Sequence, residues 1–175
     1  MKKIALLFVC FCFTGLLFSQ TNYGFRAAYN ISNLDFTTEA PAQNAHRNGL
    51  AFGFFVEYDF NEGLSFMPEI QWSAEGAKAE VLKVNYVQMP LQLRAHFGND
   101  VVVGAGPQIG LKTWSFEDGY RNIVFSGVAG IEVRLSDKFF VDARYTYGFT
   151  NIFDDETNLE AINTNIQLGI GVKMF

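Results

Sequence analysis

Apolar residues alternate with small or polar residues along most of this chain, which is the period of two that a β-strand imposes on its side chains. Eight segments show the alternation, and we find no convincing helical stretch after Tyr23. The eight segments span residues 23–31, 50–60, 64–72, 87–97, 101–111, 123–135, 139–147 and 166–174. The pattern therefore predicts an all-β protein whose strands each have one apolar and one polar face.

Alternation alone does not say which face is inside, because a soluble barrel buries its apolar face and a membrane barrel exposes it to lipid. The glycines favour the second arrangement, since the crowded wall of a narrow barrel is the inner one. Only Gly127 falls on the apolar face, whereas nine of the 16 glycines fall on the polar face: Gly24, Gly53, Gly104, Gly106, Gly110, Gly130, Gly148, Gly169 and Gly171. We therefore expect the polar face to line the lumen.

The connections alternate in length, as they do in outer-membrane barrels. Short turns are predicted at 61–63, 98–100 and 136–138, and longer polar loops at 33–49, 73–83, 113–122 and 150–163. Segments of about ten residues suit tilted strands that cross a bilayer. The sequence thus predicts one domain over residues 20–175, an eight-stranded antiparallel up-and-down transmembrane β-barrel in the cell outer membrane.

The N-terminus has the composition of a secretory signal peptide. Lys2 and Lys3 precede an uncharged apolar run over residues 4–18, and polarity returns at Ser19. We predict a signal peptide over residues 1–19, which removes both cysteines and changes the net charge from −5 to −7 through the loss of the two lysines. A mildly acidic exported domain gives no indication of nucleic-acid binding.

Charged residues on the polar face are nearly balanced in sign. We expect them to form mutual salt bridges that plug the lumen, because a buried charge without a partner costs several kcal/mol. The alternative is an ion pathway, which requires water between the charges. The predicted network consists of Arg26, Glu57, Asp59, Glu69, Arg94, Lys112, Glu132, Arg134, Asp142, Arg144 and Lys173.

Aromatic residues at the ends of the apolar faces are expected to form the two girdles that lie at the membrane interfaces. The outer girdle would contain Trp72, Tyr147 and Phe149, and the inner girdle Tyr58, Phe60, Phe97 and Phe139. These assignments make outer-membrane lipid a predicted partner.

Catalytic chemistry is not indicated. His46 lies in the first outer loop and His96 near the periplasmic end of the fourth strand, so no histidine pair is available for a metal or a proton relay. We predict no enzyme activity and no cofactor, and we assign no catalytic, cofactor-binding or metal-binding residue. The acidic run 154–156 with Glu160 could hold a divalent cation, but a solvated loop is the simpler interpretation.

Five segments together resemble the outer-membrane β-barrel domain family often called PorT-like: residues 23–34, 86–91, 104–110, 143–152 and 168–175. The resemblance covers nearly the whole mature chain and implies an outer-membrane barrel of unassigned activity. It also implies the barrel assembly machinery as a partner, which reads a terminal aromatic residue. Phe175 is such a residue, although it is one residue out of phase with the lipid-facing set that ends at Met174.

The sequence therefore predicts an integral outer-membrane protein with a structural or surface-interaction role through its outer loops, whose bound partner it does not identify. Two alternatives stay open at this point. One is a narrow channel for small solutes, and the other is a secreted soluble barrel that binds an apolar ligand.

Overall fold

A computed structural model describes residues 20–37 and 39–174 as one closed antiparallel barrel in which β1 also pairs with β8. Its strands are β1 (Gln20–Phe36), β2 (Arg47–Asn61), β3 (Leu64–Gly76), β4 (Lys83–Phe97), β5 (Val101–Ser115), β6 (Ile123–Arg134), β7 (Phe139–Gly148) and β8 (Ala161–Met174). Single 3₁₀ turns occur at Glu80–Leu82 and Asp155–Thr157. The predicted eight-stranded up-and-down barrel is confirmed.

None of the described residues forms a helix that is long and apolar enough to cross a bilayer. The predicted signal peptide over residues 1–19 lies outside the described residues, as does Phe175.

The apolar faces point outward from the barrel. Phe25 is 52% exposed and Leu168 is 53% exposed, whereas Glu57 in the lumen is 1% exposed. Because this wall is apolar over its whole circumference, lipid is the surrounding that suits it. The predicted assignment of the two faces is confirmed.

Glycine lines the lumen where large side chains fill it. A Cβ on Gly171 would lie 2.1 Å from Cζ of Phe140, and one on Gly24 would lie 2.6 Å from Cζ of Phe55. The rings of Phe55 and Phe140 meet edge to face at 5.7 Å and form a small apolar cluster with Met67 inside the barrel. The sequence did not predict this cluster, because these three residues interrupt an otherwise polar face.

The two ends of the barrel differ as predicted. The connections 62–63, 98–100 and 135–138 lie at the end that holds Gln20 and Met174, which we call the inner end. The longer connections lie at the other, outer end.

The strands extend further toward the outer end than the alternation predicted, so the predicted loops were too long. β1 continues to Phe36 and β2 begins at Arg47, and the pair Asn33↔Thr164 still belongs to the β1–β8 ladder. Backbone pairing continues there without apolar alternation because a strand that has left the hydrocarbon region needs no lipid-facing side.

The outer connections pack together over the mouth of the barrel instead of spreading into solvent. They contribute to an apolar cluster of ten buried residues: Leu34, Ala77, Leu82, Val84, Tyr86, Tyr120, Val124, Ile152, Phe153 and Ala161. We call this cluster the outer cap. The rings of Tyr120 and Phe153 contact each other with their centroids 4.8 Å apart and their planes tilted by 39°, and the Tyr120 hydroxyl donates to the carbonyl oxygen of Val81 at 2.9 Å. Burial of this phenol raises the pKa of Tyr120.

Candidate functional site: the filled lumen and its two ends

Two neutral groups of charges fill the central and inner parts of the lumen. The upper ion cluster contains Arg26, Asp142, Arg144 and Glu69. Arg26 holds Asp142 through two hydrogen bonds of 2.5 and 2.7 Å, and Arg144 donates to Glu69 at 2.6 Å. Nε of Arg144 also lies 3.7 Å from Asp142, which joins the two pairs. Two cations face two anions, so the cluster carries no net charge.

The lower ion cluster contains Glu57, Arg94, Glu132 and Lys173. Arg94 bridges the two carboxylates, with a 2.8 Å contact to Glu57, and Lys173 lies 2.7 Å from Glu57 and 3.5 Å from Glu132. This cluster is neutral as well. Charge-assisted hydrogen bonds of this length hold the side chains in one arrangement, so the lumen is a packed interior at this level.

Three further members of the predicted network are placed differently. Asp59 is half-buried at the inner mouth and accepts a hydrogen bond from the Asn22 amide at 3.0 Å. Lys112, near the outer end, donates to the carbonyl oxygen of Tyr120 at 2.6 Å, so in the described part of the chain it binds the backbone and no carboxylate. Arg134 lies 4.0 Å from Glu132 at the rim. Alternation puts these residues on the polar face but does not give their partners along the barrel axis.

A hydrogen-bonded chain connects Arg134 to the lower ion cluster through His96. Arg134 donates to Nδ1 of His96 at 2.8 Å, and Nε2 of His96 lies 2.8 Å from Oγ of Ser65, which donates to Glu57 at 2.8 Å. Because a guanidinium only donates, Nδ1 is the acceptor and the ring proton is on Nε2. Ser65 is completely buried and Glu57 contacts the serine instead of orienting the imidazole, so this is a structural relay and not a catalytic triad.

Sequence reasoning missed that His96 meets carboxylates. One ligand atom each from Glu57, Asp59 and His96 lies within 4.8 Å of the others. Their positions on the polar face near the inner ends of β2 and β4 are a signal that could have been used. Arg94 and Lys173 already occupy Glu57, and both ring nitrogens of His96 have partners, so the group is disfavoured as a metal site.

A layer of neutral polar side chains lies between the upper ion cluster and the outer cap, and it surrounds one carboxylate. Glu75 is 1% exposed and accepts hydrogen bonds from Ser73, Gln88, Asn163 and Asn165. The sequence analysis placed Glu75 in an outer loop and missed it. The structure shows that β3 continues through Glu75 to Gly76 and turns the carboxylate into the lumen.

The two mouths of the barrel are unlike. The outer mouth is covered by the outer cap, directly above Glu75. The inner mouth opens as a polar cavity of about 580 Å³ whose lining includes Asp59, Arg134 and Lys173. Small solutes can reach the lower ion cluster from this side, but the ion clusters and the outer cap lie between that cavity and the outer surface.

The predicted girdle residues point outward near the two ends of the barrel. At the outer end the Phe149 ring lies over Gly127 and 6.2 Å from the Tyr147 ring, and Trp72 is exposed on β3. At the inner end Phe60, Phe97 and Phe139 are exposed and Tyr58 is half-buried. Trp114 and Phe116 extend the outer set and were missed, because the alternation predicted a loop at their positions.

A closed eight-stranded barrel with an apolar wall and a charge-filled interior defines an integral outer-membrane barrel. A family profile gives the same result, since the outer membrane protein β-barrel domain matches residues 4–173. The chain belongs to that family. The alternative of a soluble barrel with an apolar ligand cavity fits neither the exposed wall nor the polar lumen.

Solved structures share this fold at low sequence identity. Ail, the attachment invasion locus protein of Yersinia pestis, aligns with a TM-score of 0.57 and 15% identity over 89% of this chain and 99% of that one. Neisserial surface protein A aligns with a TM-score of 0.59 and 13% identity over 89% and 99%. A second Ail structure, in complex with the heparin analogue sucrose octasulfate, has a TM-score of 0.51 at 16% identity over 89% and 99%. No curated protein matches the sequence.

Proposed function

We propose that this protein is a non-conducting outer-membrane barrel that acts at the cell surface through the face formed by its outer connections. The observation that carries the proposal is the filling of the lumen. Two neutral ion clusters, a layer of amides around Glu75 and an apolar cap follow one another along the axis. An ion pathway needs continuous water, and this order of layers supports a scaffold instead.

The outer face is acidic, which favours a cationic partner. The side chains of Glu39, Glu117, Asp118, Asp155, Glu156 and Glu160 are exposed there. Lys78 is exposed and Arg121 is partly exposed, and Arg121 already pairs with Asp155. Ail was solved with a sulfated, anionic ligand. The acidic face of this chain favours ligands of the opposite charge, such as lysine-rich peptide segments.

The proposal also includes the finer assignments that the sequence suggested. These are membership of the PorT-like group within the family, export by a signal peptide over residues 1–19, and insertion by the barrel assembly machinery with outer-membrane lipid around the wall. We propose no catalytic role for this protein, since Ser65, the hydroxyl-bearing residue that contacts His96, is completely buried.

Single-channel recording in planar bilayers tests the closed lumen. Purified protein is expected to give no discrete conductance steps under conditions in which a control porin of known conductance does. Regular conductance steps from the folded protein would overturn the proposal of a non-conducting scaffold and favour a narrow channel for small solutes.

Binding to the barrel in lipid nanodiscs tests the surface role. A lysine-rich peptide is expected to bind more tightly than a glutamate-rich peptide of equal length, and the binding is expected to weaken with salt. The test variant combines Asp154→Asn, Asp155→Asn and Glu156→Gln, which removes charge from the outer face and should weaken binding of the lysine-rich peptide. Equal binding of both peptides, or unchanged binding to the variant, would refute a cationic partner.

A further inference from the structure

Glu75 differs from the other deeply buried carboxylates in the described lumen because it has no cationic partner there. Glu57, Glu69, Glu132 and Asp142 each form ion pairs with Arg or Lys. Arg47 is the nearest candidate, but its guanidinium donates to the carbonyl oxygens of Glu75 and Val84 and to the Asn85 side chain. An ionised carboxylate in this interior therefore lacks a compensating charge.

The four donors around Glu75 are all neutral and unevenly distributed. Oε1 accepts from Ser73 at 2.7 Å, Gln88 at 2.9 Å and Asn165 at 3.1 Å. Oε2 accepts from Asn163 only. A carboxylate offers about four acceptor positions shared by its two oxygens, so these four donors suit the ionised form, and Oε2, with a single donor, is the less crowded of the two oxygens.

A small cavity adjoins the carboxylate. It has room for about 10 Å³, close to the space of one water molecule. Its lining includes Glu75 together with the hydroxyl-bearing residues Tyr86, Ser126, Thr146 and Thr150. The space suits a single particle of the size of water and excludes an organic ligand.

Several oxygens of this layer are buried without a hydrogen-bond partner, and so is one nitrogen beside them, Nε2 of Gln167, which pairs with Asn30 across β1 and β8. Oη of Tyr86 is buried without a hydrogen-bond partner, although the residue lines the cavity. Oδ1 of Asn165, whose amide nitrogen binds Glu75, has none either, nor does Oδ1 of Asn30, which binds Ser73. Buried oxygens without donors next to a negative charge are the environment that a hard cation prefers.

We propose that the cavity beside Glu75 is a binding site for one monovalent cation of the size of Na⁺, held by the Glu75 carboxylate and the Tyr86 hydroxyl. One carboxylate balances one positive charge, whereas Ca²⁺ sites usually gather several carboxylates. The bound ion makes the amide layer as neutral as the two ion clusters below it. The site lies beneath the outer cap, so the ion is taken up when the barrel folds or when the connection between β7 and β8 lifts.

Stability measured at constant ionic strength tests this site. The barrel is refolded in lipid vesicles at pH 8 in NaCl or in choline chloride, since choline is too large for the cavity. We expect a higher midpoint of urea unfolding in NaCl, rising with the logarithm of the Na⁺ concentration. Glu75→Gln keeps the shape of the side chain and should remove the difference between the two salts, whereas Asp35→Asn, which removes an exposed charge at the same end, should keep it.

Tyr86→Phe provides a second variant that preserves packing if Glu75→Gln does not fold. If the Tyr86 hydroxyl binds Na⁺, this variant should lose much of the difference in unfolding midpoint between NaCl and choline chloride. Equal midpoints in the two salts would mean that the cavity holds only water or that Glu75 binds only a proton. That outcome would overturn the proposal, as would a salt difference unchanged in Glu75→Gln.

Discussion

The upper ion cluster offers a quantitative test of whether the lumen is a dry interior. At 2.6 Å, and with an effective dielectric constant of about 20, the attraction between Arg144 and Glu69 is roughly 6 kcal/mol before desolvation offsets most of it. Replacing Arg144 by Met leaves Glu69 charged, buried and without its cation. We therefore expect Arg144→Met to lower the free energy of unfolding by about 3–5 kcal/mol.

Glu69→Gln should cost less, because Arg144 keeps Asp142 at 3.7 Å. The double variant removes both charges together, so its cost should fall well below the sum of the two single costs. We expect a coupling free energy of about 2 kcal/mol in the double-mutant cycle. Leu168→Ala on the lipid-facing wall is a suitable control, since it leaves the lumen untouched.

The assay is urea unfolding from lipid vesicles, followed by tryptophan fluorescence. Trp72 and Trp114 are the two tryptophans of the chain and both are exposed on the outer wall, so their emission reports contact with lipid. Single-variant costs below about 1 kcal/mol that simply add would refute the reasoning, because they would mean that water screens these charges. The same result would count against the proposal that the barrel does not conduct ions.

Three further perturbations test other parts of the structure. Ile131 pairs with Ala143, which lies midway along β7 between Phe139 and Tyr147. We therefore expect Ile131→Arg to lower the free energy of unfolding by about 2–4 kcal/mol, and Leu135→Arg, near the inner interface, to lower it by about 0–1 kcal/mol. Equal costs would contradict this placement of the barrel in the bilayer. Gly171→Ala places a Cβ 2.1 Å from the Phe140 ring and should lower the free energy of unfolding by about 1–3 kcal/mol in the same urea assay. Adding Phe140→Leu should restore this stability, and no cost of Gly171→Ala would show that the lumen is loosely filled. Phe153→Ala should reduce the stability of the outer cap by about 3–5 kcal/mol, so that protease cleaves the outer connections while the strands stay protected. An unchanged digestion pattern would show that the cap does not depend on this ring.

The sequence contained most of the information on the fold, because one physical constraint acts on every strand. Lipid on one side and a narrow lumen on the other force strict alternation, and Phe25, Leu168 and Glu57 follow it. The constraint ends at the edge of the hydrocarbon region. That is why the outer ends of β1, β3 and β5 were predicted as loops, and why Glu75, Trp114 and Phe116 were missed.

The candidate site was less predictable than the fold. Alternation identifies which charges point inward, but their partners depend on the register and shear of eight strands. Arg26 finds Asp142 on β7, which lies across β8 in the sheet and far along the chain. The apolar residues Phe55, Met67 and Phe140 in the lumen break the pattern outright, and only the packed interior explains the glycines beside them.

The length of β1 has a consequence for where the outer face lies relative to the membrane. Its 17 residues, at about 3.3 Å each and a tilt of about 40°, rise roughly 43 Å along the barrel axis. The apolar band of such barrels is about 25 Å tall. The remaining height, roughly 18 Å, is divided between the two ends of the barrel and is comparable to the two headgroup regions that bring a bilayer to about 40–45 Å. The strands thus carry the outer connections to the level of the headgroups, so a partner bound by the proposed acidic face would contact the protein at the membrane surface.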